Sequence, residues 1–95
     1  MRFTVFVDDN YHYQDESERY KQGDYPTAKA AVAACKQIVD DYLSDAYRKG
    51  MSASELYRSY TSFGDDPFVV SKSGRTRYSS WDYAKKRCSE ICGQS

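Results

Sequence analysis

Apolar and polar side chains alternate at the start of the chain: Phe3, Val5 and Val7 fall to one side, Arg2, Thr4 and Phe6 to the other. A period of two in β-branched and aromatic residues predicts a strand over residues 2–7. Asp8-Asp9-Asn10 supplies the turn formers that end it. From Tyr11 to Glu18 the chain is acidic and follows no period, which predicts a loop. Residues 18–22 read as a second strand, stopped by Gly23-Asp24, so the two strands make a hairpin with a long tip.

The period then becomes helical. Pro26 and Thr27 open a long helix whose stripe is Ala28, Ala31, Val32, Cys35, Ile38, Val39, Tyr42, Leu43 and Ala46, in steps of mostly three and four. Arg48 and Lys49 suit its carbonyl end, and Gly50 supplies the stop. Ser52 and Glu55 have the spacing of a capping box, with Met51 placed to pack on Leu56. The helix they start runs to about Ser62 and presents Leu56, Tyr57, Tyr60 and Phe63. Residues 67–70 predict a strand with proline at its first position. Ser73-Gly74 is a turn, and residues 75–78 offer a short partner strand. Ser79 or Ser80 then caps a last helix with Trp81, Ala84, Cys88 and Ile91 on one face. The order β-β-α-α-β-(β)-α predicts an α+β fold, a small, mainly antiparallel sheet of three or four strands packed by three helices. The helical crossover also admits a parallel pairing of the first and third strands.

Composition changes this picture in two ways. Leu and Ile number only two each, with six Val, whereas ten Tyr, four Phe and one Trp bring the aromatic share to 16%. The tyrosine-rich chain is therefore expected to have an aromatic-rich core. Ninety-five residues suit a single compact domain, 1–95. No run of about twenty apolar residues is present to span a membrane. The apolar run of residues 3–7 is too short for a signal-peptide core. Cys35, Cys88 and Cys92 are odd in number and read as reduced thiols, so a cytoplasmic protein is expected. The formal net charge is zero, which removes the case for a uniformly basic nucleic-acid binder. The zero conceals an asymmetry: nine acids and five bases through residue 47, five acids and nine bases after it.

Val7-Asp8-Asp9-Asn10-Tyr11-His12-Tyr13, then Asp15-Glu16-Ser17-Glu18-Arg19-Tyr20, resembles a family of small uncharacterised bacterial proteins with no assigned activity. The likeness continues at residues 50–57, at Phe63-Gly64-Asp65-Asp66-Pro67-Phe68 and at Trp81-Asp82-Tyr83-Ala84. It implies a bacterial, cytoplasmic, single-domain protein and supplies no catalytic residues.

Four clusters carry candidate chemistry. Asp8, Asp9, Asn10, His12, Asp15, Glu16 and Glu18 gather oxygen and imidazole donors. Counted from Asp8, the positions where a calcium loop needs glycine and glutamate hold Tyr13 and Arg19. One histidine without a nearby cysteine is not a zinc set, so no metal or cofactor is expected. His12, the single histidine, has no nucleophile motif to serve, and no catalytic residue is assigned. Cys88 and Cys92 share a helical face suited to metal or oxidation, but Cys88 and Cys35 continue apolar stripes, which leaves Cys92, near the helix end, as the reactive-thiol candidate. Lys72, Arg75, Arg77, Lys85 and Lys86, interleaved with Tyr78, Trp81 and Tyr83, form a candidate nucleic-acid surface. Tyr11, His12, Tyr13, Asp15 and Glu16 form a candidate surface for an unidentified protein partner or for self-association. The expectation is a protein-interaction or accessory module without catalysis, with nucleic-acid binding by the C-terminal third as the alternative.

Overall fold

The computed structural model describes residues 2–12, the last through its backbone, and residues 18–93. Its elements are strand β1 (Phe3–Asp9), a short 3-10 turn (Asn10–His12), strand β2 (Tyr20–Tyr25), helix α1 (Ala28–Ala46), helix α2 (Ala53–Phe63), strands β3 (Asp65–Ser71) and β4 (Gly74–Arg75), and helix α3 (Ser80–Ile91). Four antiparallel strands form one sheet in the order β2-β1-β3-β4, and three helices complete the expected α+β fold. The first and third strands pair antiparallel. β2 ends at Tyr25 opposite Phe3, and β3 begins at Asp65 opposite Asp9, the far end of β1. Helix α1 carries the chain up the sheet, so β3 can only run back down.

Strand limits moved where pairing outweighed local turn propensity. β1 continues through Asp8 and Asp9 because both are paired, with Asp66 and Asp65. β2 includes Gly23 and Asp24, and the register slips between Val5 and Phe6, so Gln22 is the extra residue of a bulge. β4 is only two residues long, turning at Gly74, whose φ of +109° favours glycine. Helix starts follow the sequence closely. Thr27 Oγ1 accepts from the Ala30 amide at 3.0 Å. Ser52 and Glu55 form both halves of the capping box at 3.1 and 2.9 Å. Ser79 caps α3 through the Asp82 amide at 3.2 Å. Helix α1 ends at Ala46, earlier than Gly50, with Arg48 donating to the Asp45 and Tyr47 carbonyls.

The buried stripe of α1 is Ala31, Cys35, Val39 and Leu43, and it joins two cores. Ala31 and Cys35 pack with Val5, Val7 and Val69 of the sheet. Val39 and Leu43 pack with Leu56, Tyr60, Ala84 and Cys88, where α2 and α3 meet. Ile38, Val32 and Tyr42 are half-buried flanks of the stripe, and Ala28 is exposed. By strand alternation Phe6 and Phe68 lie on the sheet face turned away from α1, stacked with ring centroids 6.0 Å apart. Among the described residues no helix is long and apolar enough to cross a membrane.

Candidate functional site: an aromatic end built on Asn10

Asn10 leaves β1 buried, 6% exposed, and ties three elements together. Its amide donates to the Gly64 carbonyl at 3.0 Å. Its Nδ2 donates to the Tyr60 carbonyl at 2.9 Å, and its Oδ1 accepts from Trp81 Nε1 at 3.1 Å. The end of β1, the last turn of α2 and the first turn of α3 are thereby fixed to one side chain. Tyr60, fully buried, donates its hydroxyl to the Asp65 carbonyl at 2.7 Å. Burial, with Asp66 adding its charge, pushes that phenol well above the usual range. Gly64 is required for lack of space: a Cβ there would stand 2.6 Å from Tyr60 Cδ1 and 2.9 Å from the Tyr60 carbonyl oxygen.

This clamp places the residues on either side of it. Tyr11 follows Asn10 and Phe63 precedes Gly64, so their rings meet at 5.7 Å between centroids and 21° between planes. Both are turned outward, Tyr11 65% and Phe63 62% exposed. The Tyr11 amide donates to Asp9 Oδ1 at 2.9 Å. Asp9 pairs directly with Asp65 across the strands, and burial together with Asp9's charge raises the Asp65 carboxyl. Tyr20, 53% exposed on β2 and paired with Val7, has its phenol raised by partial burial and by Asp65. The result is an exposed aromatic pair, Tyr11 and Phe63, at the end of the sheet where Asp9 and Asp65 pair.

Phe63 corrects the sequence reading, which set it on the packing face of α2 with Leu56 and Tyr60. It is the last helical residue, and the chain turns at Gly64 before another element can cover it. Its place immediately before a stop glycine was the available signal. The sequence reading has Asn10 as a turn former and as one donor of the acidic loop; its burial follows from tertiary bonds that no local pattern encodes. Tyr13, Asp15, Glu16 and the His12 side chain lie outside the described residues. Of the candidate partner surface, Tyr11 is therefore the member that can be placed.

The candidate nucleic-acid residues divide between sites. Arg75 lies over the buried Phe68 ring at 3.9 Å, on the sheet face turned away from α1. Lys72 and Arg77 are exposed on either side of β4, and Lys85 and Lys86 are exposed on α3, in the helical layer. The interleaved rings have internal partners. Trp81 donates to Asn10, Tyr83 donates to Asp40 at 2.9 Å, and Tyr78 sits 2.9 Å from Ser80 Oγ.

Among the described residues no group of three or more His, Cys, Asp or Glu could hold a metal ion. Burial pushes the Cys35 thiol up to about 12 and the Cys88 thiol to about 11. Both stay protonated near neutrality and are poor nucleophiles. Asp66, opposite Asp8, is pushed up to about 6, chiefly by burial and further by Asp8, with Arg75 opposing. Asp8 itself is held by Arg19, whose Nε and Nη2 donate to its two oxygens at 2.6 and 3.1 Å. No protein-family model matches the chain, and no curated protein matches it.

Proposed function

We propose that this chain is a small, non-catalytic protein-interaction or accessory module of the bacterial cytoplasm, and that it docks partners on its Tyr11–Phe63 end. One observation carries the reading. Two large rings stand about two-thirds exposed and stacked on each other, on chain segments that the buried Asn10 ties together. A fixed ring loses little conformational freedom on binding and offers much area, which is why tyrosine and phenylalanine are enriched at interfaces. The protonated thiols of Cys35 and Cys88 support the non-catalytic part of the reading. Nucleic-acid binding through Lys72, Arg75, Arg77, Lys85 and Lys86 draws less support, because the neighbouring rings are engaged within the fold.

The test is co-purification from the native cell with three forms of the chain: unchanged, Tyr11→Ser/Phe63→Ser, and Lys85→Glu/Lys86→Glu. A reproducible protein partner lost in the aromatic variant and kept in the lysine variant is the expected result. Partners kept by both variants would place docking elsewhere. Recovery of nucleic acid, lost in the lysine variant, would transfer the assignment to α3.

A further inference from the structure

Strand β2 is an edge of the sheet, and its sequence, Tyr20-Lys21-Gln22-Gly23-Asp24-Tyr25, is a palindrome with its charge inverted. A ring stands at each end, a cation and an anion come next, and Gln22-Gly23 forms the centre. Laid antiparallel on a copy of itself about that centre, the strand sets Tyr20 opposite Tyr25 and Lys21 opposite Asp24, each twice. Opposed residues touch only if they stand on the same face of the sheet. In a regular strand Lys21 and Asp24, three apart, would point to opposite faces. The bulge at Gln22 removes that mismatch: Lys21 pairs with Phe6 and Asp24 with Thr4, on the face turned away from α1, where the two charges meet at 2.7 Å. Tyr20 and Tyr25 pair with Val7 and Phe3, which share the other face. Tyr20, Lys21, Gln22 and Asp24 are exposed.

We propose that β2 is a self-association edge, to which a second copy of this chain adds antiparallel about a two-fold axis normal to the sheet. Two four-stranded sheets then become one of eight, with both α1 helices on the same face. Charge complementarity selects this occupant. The Lys21–Asp24 pair of one copy faces the Asp24–Lys21 pair of the other, so each cation lies between two carboxylates, and Tyr20 packs beside the other copy's Tyr25. A slip of three residues would instead oppose Lys21 to Lys21 or Asp24 to Asp24. Lysine and a bulge ordinarily keep an edge strand from pairing indiscriminately. Here Asp24 supplies the complement that this register satisfies on both strands. β2 is a different surface from the Tyr11–Phe63 pair, and a dimer here neither requires nor replaces docking there.

The experiment is sedimentation equilibrium of the full chain over a range of concentrations at low salt. A monomer–dimer equilibrium that reaches twice the 11.0 kDa chain mass is expected. Lys21→Glu and Asp24→Lys each oppose like charges at both symmetry-related contacts, and each should weaken the dimer about tenfold. Mixed in equal amounts, the two variants should pair with each other nearly as strongly as the parent, because their altered charges are complementary. That rescue separates lost charge pairing from lost folding, and the denaturation midpoint of each single variant checks the fold. Amide hydrogen exchange in β2 should slow as concentration rises, whereas exchange in β4 should not change. A chain that stays monomeric to millimolar concentration overturns the proposal, as does a dimer that both single variants keep. Failure of the mixture to recover pairing overturns it too. A dimer abolished by Phe63→Ser but kept by Lys21→Glu would place the second copy on the aromatic pair, and equally overturns it.

Discussion

Asn10 is the residue on which the exposed aromatic pair depends, and removing its side chain separates structural from surface roles. Asn10→Ala leaves the Trp81 indole N–H and the Tyr60 carbonyl without the partners at 3.1 and 2.9 Å. The Tyr60 carbonyl also accepts from the Gly64 amide at 2.8 Å, so the larger loss is at the indole. A cost of about 1–2 kcal/mol is expected from denaturant titration, because a part-buried donor that loses this acceptor costs less than the roughly 1–3 kcal/mol of a fully buried one. Trp81, the single tryptophan, makes its own emission the reporter. Gly64→Ala should cost about 1–3 kcal/mol for a different reason, the forced retreat of the Tyr60 ring and backbone. Phe63→Ser, in contrast, should leave stability nearly unchanged, since the ring it removes is exposed. A midpoint that moves as far for Phe63→Ser as for Asn10→Ala would mean that the aromatic pair is holding the fold together.

Among the elements, the helices were legible in the sequence and the strand ends were not. A helix is declared by its own neighbours: the Ser52–Glu55 capping box, the Ser79 cap and the buried steps of α1 formed as spaced, although Pro26, read into the first turn, lies before the Thr27 cap. Ser52→Ala should accordingly cost about 1 kcal/mol in chemical denaturation. The stripe of α1 was legible as a band but not in its depth. Leu43 is fully buried between α2 and α3, whereas Ile38 is a half-buried flank. Leu43→Ala should cost about 2–5 kcal/mol and Ile38→Ala distinctly less; equal losses would contradict the division of α1 into two cores. The strands depend on partners far along the chain. Asp8 and Asp9 are poor strand residues, yet β3 pairs with both, and nothing within five residues of them announces it. The same dependence hid the candidate site. Tyr11 could be selected as an exposed ring in a charged loop, but its stacking on Phe63 needs the Asn10 clamp between β1 and α2.

For the whole molecule, the zero net charge is met among the described residues by pairings within each half as well as between the halves. Asp8 takes Arg19 and Asp24 takes Lys21 within the acidic half, while Asp40 reaches across to Arg87 at 3.0 Å. Asp66 is the acid whose environment opposes ionisation, at about 6 against an ordinary 3.8. Its surroundings are Asp8 opposite, which raises it, and Arg75, which lowers it, on top of burial. Between about pH 4 and pH 6 the folded chain keeps a proton on Asp66 that the unfolded chain has released. Stability from this group is therefore full below about pH 4 and falls as pH rises to about 6. Asp65, raised by burial and Asp9, contributes a slope of the same sign. Asp24 and Glu55 are lowered by hydrogen bonds from Lys21 and Thr4 and from Ser52, so their contribution fades in the opposite direction, as the solution becomes acidic. Comparing the protein with Asp66→Asn isolates the one group from these others. The variant should gain stability over the parent as pH rises from about 4 to 6, then hold that margin to neutrality. A shift of roughly two units bounds the gain at about 3 kcal/mol; residual solvent contact and the lost attraction to Arg75 reduce it to about 1–2 kcal/mol. Denaturant titrations across the range read the margin directly. A margin that stays constant from about pH 4 to pH 7 would mean that Asp66 ionises as freely in the fold as in water, and that the opposition of Asp8 and Asp66 across β1 and β3 costs the molecule nothing.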